Sequence, residues 1–227
     1  MNATAIIFDL DNTLMDRDAT FRQFTEQLVE ELLMELNPQQ RKDWIDYIIE
    51  SDADGYRDKD GFFQELVDKL PWAQAMDLGK LRSFYDANYM NHARTMKHAV
   101  ELLEHLKEQG YKLGLLTNGY TLLQNGKIDT LQLRRFFDQI VISEETGYRK
   151  PDERIYRIAL ERLGTSADET LIIGDHPEND IWGAAQAGIR GIWLRRNHTW
   201  SDRLQGRPWQ EISELDEIVT ILGQEIS

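Results

Sequence analysis

Two hydrophobic patterns divide the chain. In the first, short apolar runs alternate with amphipathic stretches. Ala5–Phe8, 111–117 (YKLGLLT), 139–143 (QIVIS), 170–174 (TLIIG) and 189–194 (IRGIWL) read as strands. Between and after them, 98–110, 122–133, 152–164, 180–188 and 214–224 carry apolar residues at helical spacing. Gly110 and Gly164 stop two of these helices, and Ser213 is the expected cap of the last. Apolar strands alternating with amphipathic helices predict a parallel sheet covered on both faces, an α/β fold. In the second pattern, from about Asp16 to Asn91, no strand is evident. Phe21, Phe24, Leu28, Leu32 and Leu36 form one helical stripe, and Asn37-Pro38 caps and starts the next, with Trp44, Ile45, Ile48 and Ile49. Phe62, Phe63, Leu66, Val67 and Leu70, and then Leu78, Leu81, Phe84 and Tyr85, make two more, while SDADGYRDKDG reads as a polar turn. The expected organisation is an α/β core of residues 1–16 and 92–227, with a helical insert at 17–91.

Ligands of open parallel sheets bind beyond the carboxyl ends of the strands. The first strand ends in Asp9, Asp11, Asn12 and Thr13, and the second in Thr117, Asn118 and Gly119. Lys150-Pro151 lies beyond the third, and Gly174, Asp175 and then Asp180 beyond the fourth. Right-handed crossovers bring these ends to one side. Any one of these groups is ordinary turn chemistry. Four acids, two hydroxyls, two amides and a lysine at successive strand ends are chemically complementary.

In this order the motifs resemble those of the haloacid dehalogenase-like superfamily. FDLDNTL resembles its first motif, LLTNG the second, Lys150 in GYRKPD the third and IIGDHPENDIWGAAQAG the fourth. The helical insert stands where the family carries a small helical cap. The resemblance implies a doubly wound, Rossmann-like core and a Mg2+-dependent phosphatase of small phosphorylated metabolites: nucleotides, sugar phosphates or phosphoglycolate. It implies Asp9 as nucleophile forming an aspartyl-phosphate, and Asp11 as acid and then base. Asp9 and Asp175 would bind the metal through carboxylates and Asp11 through its carbonyl. Thr117, Lys150 and backbone N–H groups near Asn118 and Gly119 would hold the phosphoryl oxygens. Asp180 and Thr13 would support the site, Asp180 by orienting metal-bound water or Lys150, and the cap would exclude water and shape substrate choice. The acid at position 11 favours phosphoryl transfer over carbon–halogen cleavage, which needs no leaving-group acid. A sugar-phosphate mutase of the same superfamily is the alternative. Readings from another class are a phospho-acceptor receiver domain, where the lysine comes last whereas here Asp175 follows Lys150, and a non-catalytic binding protein, against which every expected catalytic residue is present.

Composition narrows the partners. A net charge of −14 opposes nucleic acid and anionic membranes, so any anionic substrate needs a local positive focus. The absence of cysteine leaves no disulfide, thiolate metal site or cysteine nucleophile. With no basic start and no apolar run near the roughly 18 residues of a membrane span, the expectation is a cytoplasmic, soluble monomer or homodimer. Two features stand apart. His176 is expected in a solvent-facing loop. The stretch WLRRNHTWSDRLQGRPW sets Arg195, Arg196, Arg203 and Arg207 among Trp193, Trp200 and Trp209. It is expected as a solvated loop, with attraction of an anionic substrate or a subunit contact as the other readings.

Overall fold

The computed structural model describes residues 3–223. Its elements are β1 (Ala5–Phe8), α1 (Arg17–Leu32), α2 (Pro38–Asp52), α3 (Lys59–Lys69), α4 (Leu78–Asn88) and α5 (Ala99–Glu108). Then follow β2 (Lys112–Thr117), α6 (Thr121–Thr130), β3 (Gln139–Ile142), α7 (Ser143–Thr146), α8 (Glu153–Leu163) and β4 (Thr170–Gly174). A π-helical turn (Pro177–Trp182), α9 (Gly183–Gln186), β5 (Arg190–Leu194), β6 (Gln210–Ile212) and α10 (Glu217–Ile221) complete the chain. Two compact units result. One runs through Asp16 and resumes at Thr95; the other is Arg17–Arg94.

The first unit is a six-stranded, all-parallel sheet of order β3-β2-β1-β4-β5-β6. β1 lies inside it because all four of its residues are apolar and buried. Phe8 pairs with Leu115 on one side and Ile173 on the other, so Asp9 leaves the sheet level with residues 116 and 174. On one face Ile7, Leu116 and Ile172 pack against Ile155, Tyr156 and Ala159 of α8 and Ala184 of α9. The chain leaves this unit after Asp16 and re-enters at Thr95, and Met15 and Thr95 form an antiparallel bridge there.

The helical unit is built around aromatic rings. Phe24 meets Tyr85 edge-on at 5.2 Å and Tyr85 stacks on Tyr89 at 4.8 Å. Caps fix the helix starts. Asn37 and Gln40 form a reciprocal capping box, and Asp58 and Asp77 cap α3 and α4. Beside the rings lies a buried ion cluster. Asp52, at the end of α2, accepts from Arg17 and Lys59 at 2.5 Å each, and Arg17 also reaches Asp54 at 3.5 Å. Burial would raise the Asp52 pKa, but Arg17 and Lys59 outweigh it and hold the carboxyl below its usual value. Lys59 also lies 5.2–5.7 Å from the ring centres of Phe21, Phe62 and Tyr85. The polar turn expected here is thus partly an interior structure.

Several boundaries differ from the sequence reading. α1 stops at Leu32, short of Leu36, because the next segment bonds sideways: Met34 donates to the Pro71 carbonyl, and Ala73 donates back to Leu32. The helix expected from Asp180 starts at Pro177, with His176 as its cap. The last helix starts at Glu217, not beside Ser213, because Glu217 Oε1 accepts from the N–H groups of Ser213 and Glu214. Its expected end, Gln224, lies outside the described residues. β6 was not expected; it is three residues long, with only Ile212 buried, so periodicity carries little of it. Among the described residues no helix is long and apolar enough to cross a membrane.

Candidate active site

Lys150 organises the carboxyl edge of the sheet. Its ammonium is buried and contacts Asp9 Oδ1 at 2.6 Å, Asp180 Oδ1 at 2.6 Å and the Leu116 carbonyl at 2.9 Å. All three of its N–H bonds are therefore engaged. Its backbone is clamped as well. Asn118 Oδ1 accepts from the Lys150 N–H, and Asn118 Nδ2 donates to the Lys150 carbonyl. The amide of the second motif thus braces the lysine of the third.

Asp180 is also fully engaged, since its Oδ2 accepts from the His176 N–H at 2.9 Å. The π turn brings Asp180 so close to β4 that a Cβ at Gly174 would overlap its carboxyl group. Only glycine leaves that space. His176 is half-buried rather than solvent-facing: its Nδ1 accepts from the N–H groups of Glu178 and Asn179, and its ring lies 4.5 Å from that of His198. Burial lowers its pKa, so the neutral ring that can cap the turn is favoured.

Asp9 Oδ1 is held by Lys150, while Oδ2 has a longer contact of 3.4 Å from the Thr13 hydroxyl. Burial pushes the Asp9 pKa up to about 7; Lys150 opposes that rise, and Asp180 and Asp11 reinforce it. Asp175 is buried nearby, with its carbonyl accepting from the Trp193 indole at 2.8 Å and its Oδ2 3.9 Å from His198 Nε2. Asp9, Asp175 and Asp180 each place a carboxylate oxygen within 4.8 Å of the others. Three buried carboxylates around one ammonium leave excess negative charge in a low-dielectric setting. That surplus, with the carboxylate oxygens of Asp9 and Asp175 as donors, fits a hard divalent cation such as Mg2+.

Asp11 lies apart from this trio. Lys127, buried on α6, grips its carboxylate at 2.7 and 2.8 Å, and Gln124 donates to it at 3.1 Å. Gln124 also donates to Thr117 Oγ1 at 2.5 Å and so ties Asp11 to the second motif. The Gly119 N–H donates to Ser143 Oγ at 3.0 Å, so this expected phosphate donor already has an acceptor. Sequence reasoning missed Lys127 and Gln124. Their signal was spacing: three residues apart on α6, next to buried Ile128, they fall on the helix's inner face, where an unpaired lysine would be costly.

Comparison with known proteins agrees with this architecture. The model of the family described as haloacid dehalogenase-like hydrolase matches residues 6–194. The chain is 30% identical to pyrimidine 5'-nucleotidase PynA of Streptococcus pneumoniae, over 97% of this chain and 95% of that protein. It is 28% identical to pyrimidine 5'-nucleotidase YjjG of Escherichia coli, over 96% of each. The magnesium-bound crystal structure of the HAD-type protein YfnB from Bacillus subtilis shares the fold, with a TM-score of 0.74 and 23% identity over 98% of this chain and 99% of that one.

Proposed function

We propose, from the premise that this chain belongs to the haloacid dehalogenase-like hydrolase family, that it hydrolyses phosphate monoesters of small metabolites through an aspartyl-phosphate on Asp9. The observation that carries this reading is the buried Lys150 ammonium 2.6 Å from both Asp9 and Asp180, with Asp175 within 4.8 Å of those carboxylates. Asp9 and Asp175, with the Asp11 carbonyl, are the residues that would hold Mg2+. When bound, the ion supplies positive charge that lowers the Asp9 pKa and offsets charge on the phosphoryl group. Asp180, with both oxygens engaged, positions Lys150 instead of serving as a ligand.

Asp9 attacks phosphorus in line, and the bond to the leaving alkoxide breaks. Asp11, protonated from solvent as it leaves Lys127, gives that proton to the leaving oxygen and later takes one from the water that releases phosphate, so the acid form is restored for the next turnover. Lys127 and Gln124 hold Asp11 in place between these events. Once Asp9 is phosphorylated its oxygen is a weaker acceptor, so Lys150 can turn one N–H toward the phosphoryl group while keeping Asp180. Thr117 and the backbone N–H of Asn118 complete the cradle for the phosphoryl oxygens.

The pyrimidine 5'-nucleotidases that align end to end with this chain support nucleoside 5'-monophosphates as the first substrate class to test. Phosphate release is measured with UMP, dTMP, AMP, glyceraldehyde 3-phosphate, phosphoserine and ribose 5-phosphate in Mg2+. The expected result is turnover of at least one ester, highest for a pyrimidine nucleotide and absent in Asp9→Asn. No release from any ester, or equal release by the variant, overturns the reading.

A further inference from the structure

The arginine- and tryptophan-rich stretch after β5 is not a featureless loop. With β6 it borders an open cleft of about 430 Å³ whose lining includes Trp193, Arg195, Arg196, Trp200, Arg207 and Glu211. None of Asp9, Asp11, Thr117, Lys150, Asp175 or Asp180 lines it. Three guanidinium groups and one carboxylate line it, in a chain whose net charge is −14; the other nearby acids stand off, Asp16 at 3.8 Å from Arg196 and Asp202 at 4.0 Å from Arg207. Concentrating cations on a shared wall is unfavourable unless an anion visits it.

Three details point to what that anion is. First, the carboxylates nearest two of these arginines are remote. Arg195 lies 3.8 Å from Glu211 and Arg207 lies 4.0 Å from Asp202, beyond the 2.7–2.9 Å of a charge-assisted hydrogen bond. Exposed pairs of this kind are weak and readily exchanged for a phosphate that both forks can grip. Second, the volume is several times that of an orthophosphate and falls in the range of small-ligand pockets, roughly 300–1,000 Å³. Third, one wall is aromatic. Trp193 and Trp200 meet edge to face at 5.6 Å, and Trp193 is almost fully buried. Trp200 keeps partial exposure, and its Nε1–H is buried with no acceptor among the described residues. A small turn of that indole toward an acceptor in the cavity relieves the unmet donor and presents a ring face to the ligand.

We propose that this cavity is a second ligand site, which takes a planar, multiply charged phosphate compound of the nucleoside diphosphate class. The guanidinium groups grip the phosphates, and the Trp200 indole receives the base. The site is joined to the reaction centre through Trp193, whose indole donates to the Asp175 carbonyl. The inference does not depend on the chemistry assigned to Asp9.

ADP is the probe, titrated calorimetrically into the full chain in excess chelator, so that metal-dependent turnover does not interfere. The expected result is one saturable site. Affinity should fall at least tenfold in the double variant Arg195→Ala/Arg207→Ala and in 0.5 M salt, and at least threefold in Trp200→Leu. Pyrophosphate should bind more weakly than ADP, and adenosine more weakly still. Asp9→Asn should bind ADP as the parent does. Circular dichroism checks that the variants are folded; the two arginines are exposed, so their replacement should leave the spectrum unchanged. The proposal is overturned by undetectable binding at millimolar ADP, by unchanged affinity in the folded arginine variant, or by equal affinity for pyrophosphate. Loss of binding in Asp9→Asn but not in the arginine variant would place ADP at the reaction centre and overturn it as well.

Discussion

Each unit of this molecule buries an ion cluster, and the two are composed in opposite ways. In the helical unit, Arg17 and Lys59 face Asp52 and Asp54, two cations to two anions. In the α/β unit, Lys150 contacts Asp9 and Asp180, and Asp175 stands within 4.8 Å of those two carboxylates, one cation to three anions. The first group is charge-balanced and folded around its own partners. It ties the end of α2 to the starts of α1 and α3. The second is short of positive charge, which folding alone does not reward. Burial by itself therefore does not mark a reactive site. The sign and size of the charge left over do.

The contrast can be broken most sharply at Asp9. Asp9→Asn should lower phosphate release by about 10⁴-fold or more, as loss of a covalent nucleophile does. Its metal-free melting temperature should stay level or rise, because a surplus charge is gone. A stable variant with near-normal turnover would refute the nucleophile, and a badly destabilised one would refute the charge argument.

Asp11→Asn should slow the first chemical step by about 10²–10⁴-fold for alkyl phosphates and less for aryl phosphates, which need little protonation of the leaving group. Lys127→Met should reproduce the same alkyl-selective pattern at smaller size, about tenfold, because it misplaces the acid without removing it. Stopped-flow release of the leaving alcohol reads both, and equal losses for the two ester types would reject Asp11 as the acid.

In the balanced cluster, Asp52→Asn takes the closest carboxylate from buried Arg17 and half-buried Lys59 and should cost about 3 kcal/mol in urea denaturation. Mg2+ tests the deficient one. At a hundred times its dissociation constant it should stabilise the α/β unit by about 2.7 kcal/mol, and this gain should vanish in Asp175→Asn. Chelator should abolish turnover and Mg2+ restore it.

The smallest and most diagnostic effect is in pH. The depressed Asp52 stabilises the helical unit above the ordinary carboxylate pKa, and that contribution is lost as pH falls through its lowered folded value. The raised Asp9 works the other way. In chelator, the folded α/β unit retains a proton that the unfolded chain has released, so its stability should fall as pH rises from about 4 through about 7. Hydrogen exchange resolved by unit should show slopes of opposite sign; parallel slopes would remove the distinction between the clusters.

The sequence was most informative where local and global signals agreed. β1, β2 and β4 are apolar runs between turn signals, and their polar ends named Asp9, Thr117 and Asp175 without reference to any contact. The capping box at Asn37 was legible for the same reason, being written within four residues. What escaped depends on partners distant in the chain. Lys127 lies on α6, far in sequence from Asp11, and only the crossover brings them together. Asp52 looked like a turn acid because Arg17 belongs to another helix. His176 looked solvated because a ring nitrogen acting as a cap leaves no mark in hydropathy. The π winding before α9 follows from the tight approach of Asp180 to Gly174, a steric fact that no periodicity encodes.

The bridge between Met15 and Thr95 bears on the order of events as the chain folds. β1 has to find β2 across the whole length of the insert, since Ala5 pairs with Lys112. Helices α1 to α4 form from near neighbours, so the insert can condense early and draw its two ends together. That would shorten the open loop between β1 and β2 roughly fourfold, and at about 0.6 kcal/mol per doubling it would lower the entropic barrier to sheet nucleation by about 1.2 kcal/mol. The excursion that separates the two strands along the chain would then also speed their meeting, and a destabilised insert such as Asp52→Asn should delay sheet formation several-fold even though residue 52 belongs to α2 and not to the sheet.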